Sequence, residues 1–206
     1  MPRKRFLKPQ WSLQTMFLLT AVVAVWVPYF QLQKKIGLTE QKIDTMRKMA
    51  RELIVSDTNK IAVVKKMEKW YDENRWDIYL PDGEYKILLA TQNIDHMGFA
   101  PVVAEAAVRG GRHVIELLHD KGDKSNDISV LFDDLAIIEV RESPDWDKGY
   151  GSSGGGLFAN CEQLSTDEPV VLFRRRWHYK LTPNSTGPKK GPTEGLLLWI
   201  ERTAEN

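Results

Sequence analysis

The sequence predicts a mainly β protein, an antiparallel sandwich of jelly-roll-like texture, preceded by an N-terminal transmembrane helix and a helical stalk. Three observations predict it. "WSLQTMFLLTAVVAVWVPYF" (residues 11–30) contains no charged residue. A charged stretch with helical spacing of its apolar residues follows. From residue 59 onward the chain breaks into short runs rich in Val, Ile, Tyr and Trp, separated by Gly, Pro, Asp and Asn. That texture argues for an antiparallel sandwich or barrel rather than a parallel α/β sheet.

The whole chain sets the bounds. Its 206 residues hold one ordinary domain with an appendage, and the part after the apolar stretch is long enough to bury a core. A formal charge of +1 gives no reason to expect nucleic acid as a partner. Cys161 is the only cysteine, which excludes an internal disulfide and a thiolate zinc site. No cofactor motif is present.

The apolar stretch comes first. A helix rises about 1.5 Å per residue, so about 20 apolar residues cross the hydrocarbon of a bilayer. Residues 11–32 have that length. Trp11 lies at one end and Trp26, Tyr29 and Phe30 at the other, where interfacial aromatics sit, with Phe17, Leu18 and Leu19 between them. Pro28 is expected in the last turn, where a missing N–H costs least. A cleaved export signal would close on small residues two apart, but Ala21 and Ala24 are three apart and bulky residues follow. A retained anchor is therefore expected. The N-terminal tail (residues 1–10) carries Arg3, Lys4, Arg5 and Lys8 and no acid, which favours a cytoplasmic N-terminus and an extracytoplasmic C-terminal domain. Lys34, Lys35, Lys42, Arg47, Lys48 and Arg51 on the other flank pull the opposite way, interspersed with Glu40, Asp44 and Glu52.

Residues 33–56 read as an amphipathic helical stalk. Ile36, Ile43, Met46 and Leu53 recur on one stripe, suited to packing on the chain's own domain or to pairing with a second copy. "SDTN" (56–59) is turn chemistry and opens the β-rich domain, 57–206. Strands are expected at 60–66, 75–80, 84–91, 103–108, 112–119, 128–133, 136–142, 170–181 and 196–203. "PDG" after Leu80 and "GG" after Arg109 read as tight hairpin turns. The Gly/Ser-rich stretch 143–169 reads as a long mobile loop.

Chemistry is sparse. His113 and His119 share a strand face but lie about 20 Å apart, too far to share a metal. Asp145 and Asp147 in "DWDKG" resemble a calcium loop in composition only. "GSSGGG" lacks the setting of a nucleophile or phosphate loop. "FRRRWHYK" interleaves cations with aromatics: Arg174, Arg176 and His178 on one face of a strand, Trp177 and Tyr179 on the other. Such a pair of faces suits a sugar, polyanion or lipid headgroup, and also suits a half-buried strand with its aromatics inward. "NST" (184–186) fits a glycosylation sequon.

"RFLKPQWSLQTMFLLTAVVAVW", followed by a helix and then "RWDIYLPDGEYKILLAT", resembles a group of uncharacterised single-pass membrane proteins of planctomycete bacteria. Those share an "RFSLRTLLLLTAV"-like anchor and a "W-x-x-Y-L-P-x-G-x-x-Y-x-L" hairpin. Trp76, Tyr79, Leu80, Pro81, Gly83 and Leu88 match, and Tyr85 stands one place early. The resemblance implies a membrane-anchored β-rich domain and carries no activity. The expected function is a binding or structural module of the cell envelope, with a carbohydrate or an envelope protein as partner. The alternative is a membrane-tethered enzyme with its site in the 141–180 region, using Asp145, Asp147 or His178.

Overall fold

The structure, a computed structural model, describes residues 13–67, 73–147, 152–154, 158–177 and 191–203. Trp11, His178, Tyr179 and the sequon lie outside the described residues. The chain forms two compact units, residues 1–49 and 50–206.

The first unit is one helix, α1 (Leu13–Met49). It runs unbroken through the expected anchor and most of the expected stalk. Pro28 therefore lies well inside it rather than in a last turn. One proline deletes one ladder hydrogen bond, and the remaining ladder carries the helix past it. Thr20 gives its hydroxyl to the Met16 carbonyl, so this polar group in the apolar stretch is satisfied within the helix. Trp26 meets Tyr29 and Phe30 edge-on or tilted, at ring separations of 6.1 and 5.5 Å. Phe17, Leu18 and Leu19 are exposed, and none of the apolar window is buried. By length and composition α1 is able to cross a membrane.

The helix stops at Met49, short of the expected 56. Arg51 follows with a φ of 47°, a left-handed cap of the kind that ends helices. Beyond it the chain is tied to strands. The Arg51 guanidinium donates to the Lys65 carbonyl at 3.1 Å, and the Lys66 ammonium to the Arg51 carbonyl at 2.7 Å. Leu53 thus leaves the stripe of Ile36, Ile43 and Met46 and is half-buried in the second unit.

The second unit is mainly antiparallel β, a curled half-barrel. Its strands are β1 (Ile61–Lys65), β2 (Glu73–Ala90), β3 (Ala104–Lys121), β4 (Asn126–Phe132), β5 (Leu135–Glu142), β6 (Ser152–Gly154), β7 (Glu162–Leu164), β8 (Val170–Trp177) and β9 (Gly195–Arg202). The order β5-β4-β3-β2-β9-β8-β6 forms one path, with β1 and β7 branching from β2.

The two expected hairpins at "PDG" and "GG" are not hairpins. Each sits inside a single long strand, and the two face each other across the β2–β3 ladder. Leu80 pairs with Gly111 and Glu84 with Arg109, so Pro81, Asp82 and Gly83 oppose Gly110 alone. This is a large bulge, and bulges bend a sheet. Pro81 has no N–H to continue the ladder. Gly83 (φ 141°) and Gly111 (φ 143°) adopt backbone open mainly to glycine. Gly110 is demanded by contact: a Cβ there would lie 2.3 Å from the Pro81 carbonyl oxygen. At the bend β2 exchanges its other neighbour, β1 before it and β9 after it. The bent ladder therefore joins two half-sheets that close on a common core.

The true tight turn is between β4 and β5, at Asp133 (φ 50°) and Asp134 (φ 66°). Two positive φ values in a two-residue connection make the type I′ turn that matches strand twist. Asp133 accepts the Val114 N–H at 2.8 Å and faces His113 Nδ1 at 2.7 Å, which holds the turn against β3.

The core between the half-sheets contains Trp76, Ile78, Leu80, Tyr85 and Ile87 from β2, Ile115 and Leu117 from β3, and Leu172, Phe173 and Trp177 from β8. Trp76 meets Phe173 across it, ring centres 6.3 Å apart. Trp146 and Phe158 belong to the same core. The 143–169 stretch is therefore not a free loop over its described part: two aromatic pins and the pairings β6–β8 and β1–β7 fasten it.

Candidate functional site

The basic strand is the first candidate. A register shift between Val171 and Phe173 turns both Leu172 and Phe173 into the core. Past it the faces alternate as period two requires, and Arg174 and Arg176 share one. Their guanidinium groups are already engaged. Arg174 donates to the carbonyls of Asp95, at 3.0 Å, and Gly98; Arg176 donates to Ile94, at 3.1 Å, and Gly191. Arg176 is buried, and among the described residues its charge is met by two backbone carbonyls, those of Ile94 and Gly191. Burial, and then the neighbouring Arg176 charge, lowers the Arg174 pKa from its ordinary value. The two arginines clamp a loop. On the opposite face Arg175 lies over the rings of Phe173 and Trp177, 5.3 and 5.6 Å from their centres. Trp177 is buried, so its ring does not present a stacking platform for a sugar.

The clamped loop, residues 91–103, is the second candidate. Ile94 and Ala100 are buried with Leu88, Leu197 and Trp199 on the sheet face opposite the main core. Phe99 packs on Trp199 at 5.5 Å between ring centres. Gly98, at φ 81°, reverses the tip. Met97 is 82% exposed and Phe99 54%, with Val102 and Val103 also exposed. The result is an apolar tip on a base fixed by charge-assisted hydrogen bonds. Such an arrangement suits contact with an apolar partner surface.

The third is a polar and aromatic network at one end of the half-barrel. Trp146 donates its indole N–H to the Thr91 carbonyl at 2.9 Å and stands edge-on to His119 and Trp177, at 5.4 and 5.6 Å. Thr91 gives its hydroxyl to Glu142. Asn126 donates its amide to the Ser143 carbonyl at 2.9 Å, which turns its oxygen toward His119 Nε2 at 3.2 Å. That orientation requires the proton on Nε2. Sequence reasoning missed this network. The signal was a single tryptophan between two aspartates in a polar stretch, a large apolar side chain with nowhere to go but inward.

The two aspartates are separated by that insertion. Asp145 is exposed, while Asp147 is half-buried and paired with Lys121. A lysine ammonium there occupies the carboxylate that a calcium ion would need. Among the described residues no group of three or more His, Cys, Asp or Glu is placed to hold a metal ion. His113 faces Asp133, and its Nε2 is buried against the backbone of Gly111 without a hydrogen-bond partner among the described residues. Cys161 is half-buried, its sulfur within 3.3 Å of both the N–H and the carbonyl of Ile54.

Comparison of the chain with protein-family models, with curated proteins and with solved structures finds no match.

Proposed function

We propose that the protein is a membrane-tethered, extracytoplasmic binding or structural module of the cell envelope. The observation that carries the reading is α1, whose apolar length stays exposed and whose polar threonine is satisfied within the helix. Its basic N-terminal flank supports a cytoplasmic N-terminus. The β unit supports binding rather than chemistry. Arg174, Arg176, Asp133 and His113 are used to fasten a loop and a turn, and the apolar tip of 91–103 is exposed. With Trp177 buried, an envelope protein with an apolar contact face suits this tip better than a carbohydrate does.

Replacing Leu19 and Val23 by lysine puts two charges into the middle of the apolar stretch, each costing about 2.5–3.5 kcal/mol in a bilayer core. The wild-type chain is expected to stay with membranes through an alkaline carbonate wash, and the double variant to be released. A wild-type chain released by the same wash would sink the tethered reading.

A further inference from the structure

The first half of β3, Ala104 to Gly110, pairs with β2 on one side only; β4 joins β3 from Ile115 onward, and no described residue pairs with the other side of the first half. We propose that this edge is an interface between two copies of the chain, paired antiparallel and centred on Ala107. The register follows from charge. Along the exposed face of the edge stand Glu105, Ala107 and Arg109. Centring on Ala107 sets Glu105 of each copy opposite Arg109 of the other, twice by the two-fold, and opposes the whole segment from Ala104 to Gly110. Opposite charges facing across a ladder stabilise it, and like charges destabilise it.

Both partners are placed to make the pair. Arg109 is exposed and has no hydrogen bond or ion pair with any described residue. Glu105 uses Oε1 on Lys86, at 2.8 Å, which leaves Oε2 for a second donor. The inner face of the same edge is small and apolar. Ala104 and Ala106 are half-buried against the main core and Val108 is buried. In this register Ala106 faces the partner copy's Val108, so the half-exposed alanines are covered and the two sheets become one. No proline interrupts the edge, and its two charges, which would repel an unrelated strand, are complementary in this register. The free edges of β5, β6 and β7 serve less well. β6 and β7 have three residues each. In β5, Arg141 is already on Asp127 at 2.8 Å, and opposing it to Glu139 would centre the pairing on Val140, two residues from the strand's end.

The test uses the full chain in detergent, followed by sedimentation, with Arg109→Glu and the swapped double variant Glu105→Arg/Arg109→Glu. Arg109→Glu is expected to weaken the dimer about tenfold, and the swap, which gives up the Glu105–Lys86 pair, to restore most of it. Restoration also shows that the swapped variant folds, and an unchanged circular dichroism spectrum of Arg109→Glu shows the same for the single variant. In a Cys161→Ser background, Ala107→Cys opposes itself and is expected to give a disulfide-linked dimer under mild oxidation, with Glu105→Cys giving little. A chain that is monomeric at every loading would overturn the interface. So would a dimer indifferent to Arg109→Glu but lost with Ile43→Asp, which would assign it to α1, or equal crosslinking at 105 and 107.

Discussion

Asp133 sits where the backbone is left-handed, in a turn that most side chains resist, and it is useful there because its carboxylate reaches back to β3. Burial raises its pKa, but hydrogen bonds from His113 and from the Val114 N–H, with the His113 charge, more than offset this and leave it below the ordinary value. A carboxylate with a depressed folded-state pKa adds stability above its unfolded-state pKa and loses it as pH falls through the folded value. Asn tolerates the same left-handed backbone but carries no charge. Asp133→Asn is therefore expected to be less stable than wild type near pH 7, and the difference to close below about pH 4. The side chain is 47% exposed, so solvent screens the pair and the gap at pH 7 is small, about 0.5–1 kcal/mol. Urea titrations of both proteins across pH would measure it. A gap that widened on acidification would contradict the assignment. Arginine is used in the same structural way: Arg174 and Arg176 read as a binding face from spacing alone, and only the loop folded over them reveals their carbonyl partners.

At the scale of elements, what was legible was local and what was not was long-range. The positions and period-two faces of most strands could be read because apolar residues alternate over five to eight positions wherever one face is buried. The bend in β2 and β3 was not legible, because Asp-Gly and Gly-Gly mean a chain that departs from ordinary φ whether it reverses or bulges. Only the pairing of Leu80 with Gly111 distinguishes the two, and those residues are far apart in sequence. Trp146 likewise shows its role only when Thr91 is beside it. Leu53 fitted the helical stripe by spacing, yet Arg51 caps the helix before it. The bend also makes a sharp demand on one residue. Gly110→Ala is expected to cost about 2–3 kcal/mol, because the added carbon meets backbone at Pro81, which has no rotamer to move away. Thermal unfolding of the variant would measure it, and a neutral result would mean that the two strands do not cross so closely.

The whole molecule joins a helix able to cross a bilayer to a β unit whose charged groups mostly fasten its own turns and loops. The proposal that the β unit lies outside the membrane rests on the basic N-terminal flank of that helix. The sidedness of that unit is the central claim, and an accessible thiol tests it most directly. Cys161 is a poor reporter because its sulfur is held against Ile54. Asp123, exposed in the turn between β3 and β4, is a better position. The chain with Asp123→Cys and Cys161→Ser would be treated in intact cells with a membrane-impermeant maleimide, beside permeabilised and denatured samples. Labelling in intact cells to the level of the denatured sample is the expected result. Labelling only after permeabilisation would put the β unit on the cytoplasmic side and contradict the account.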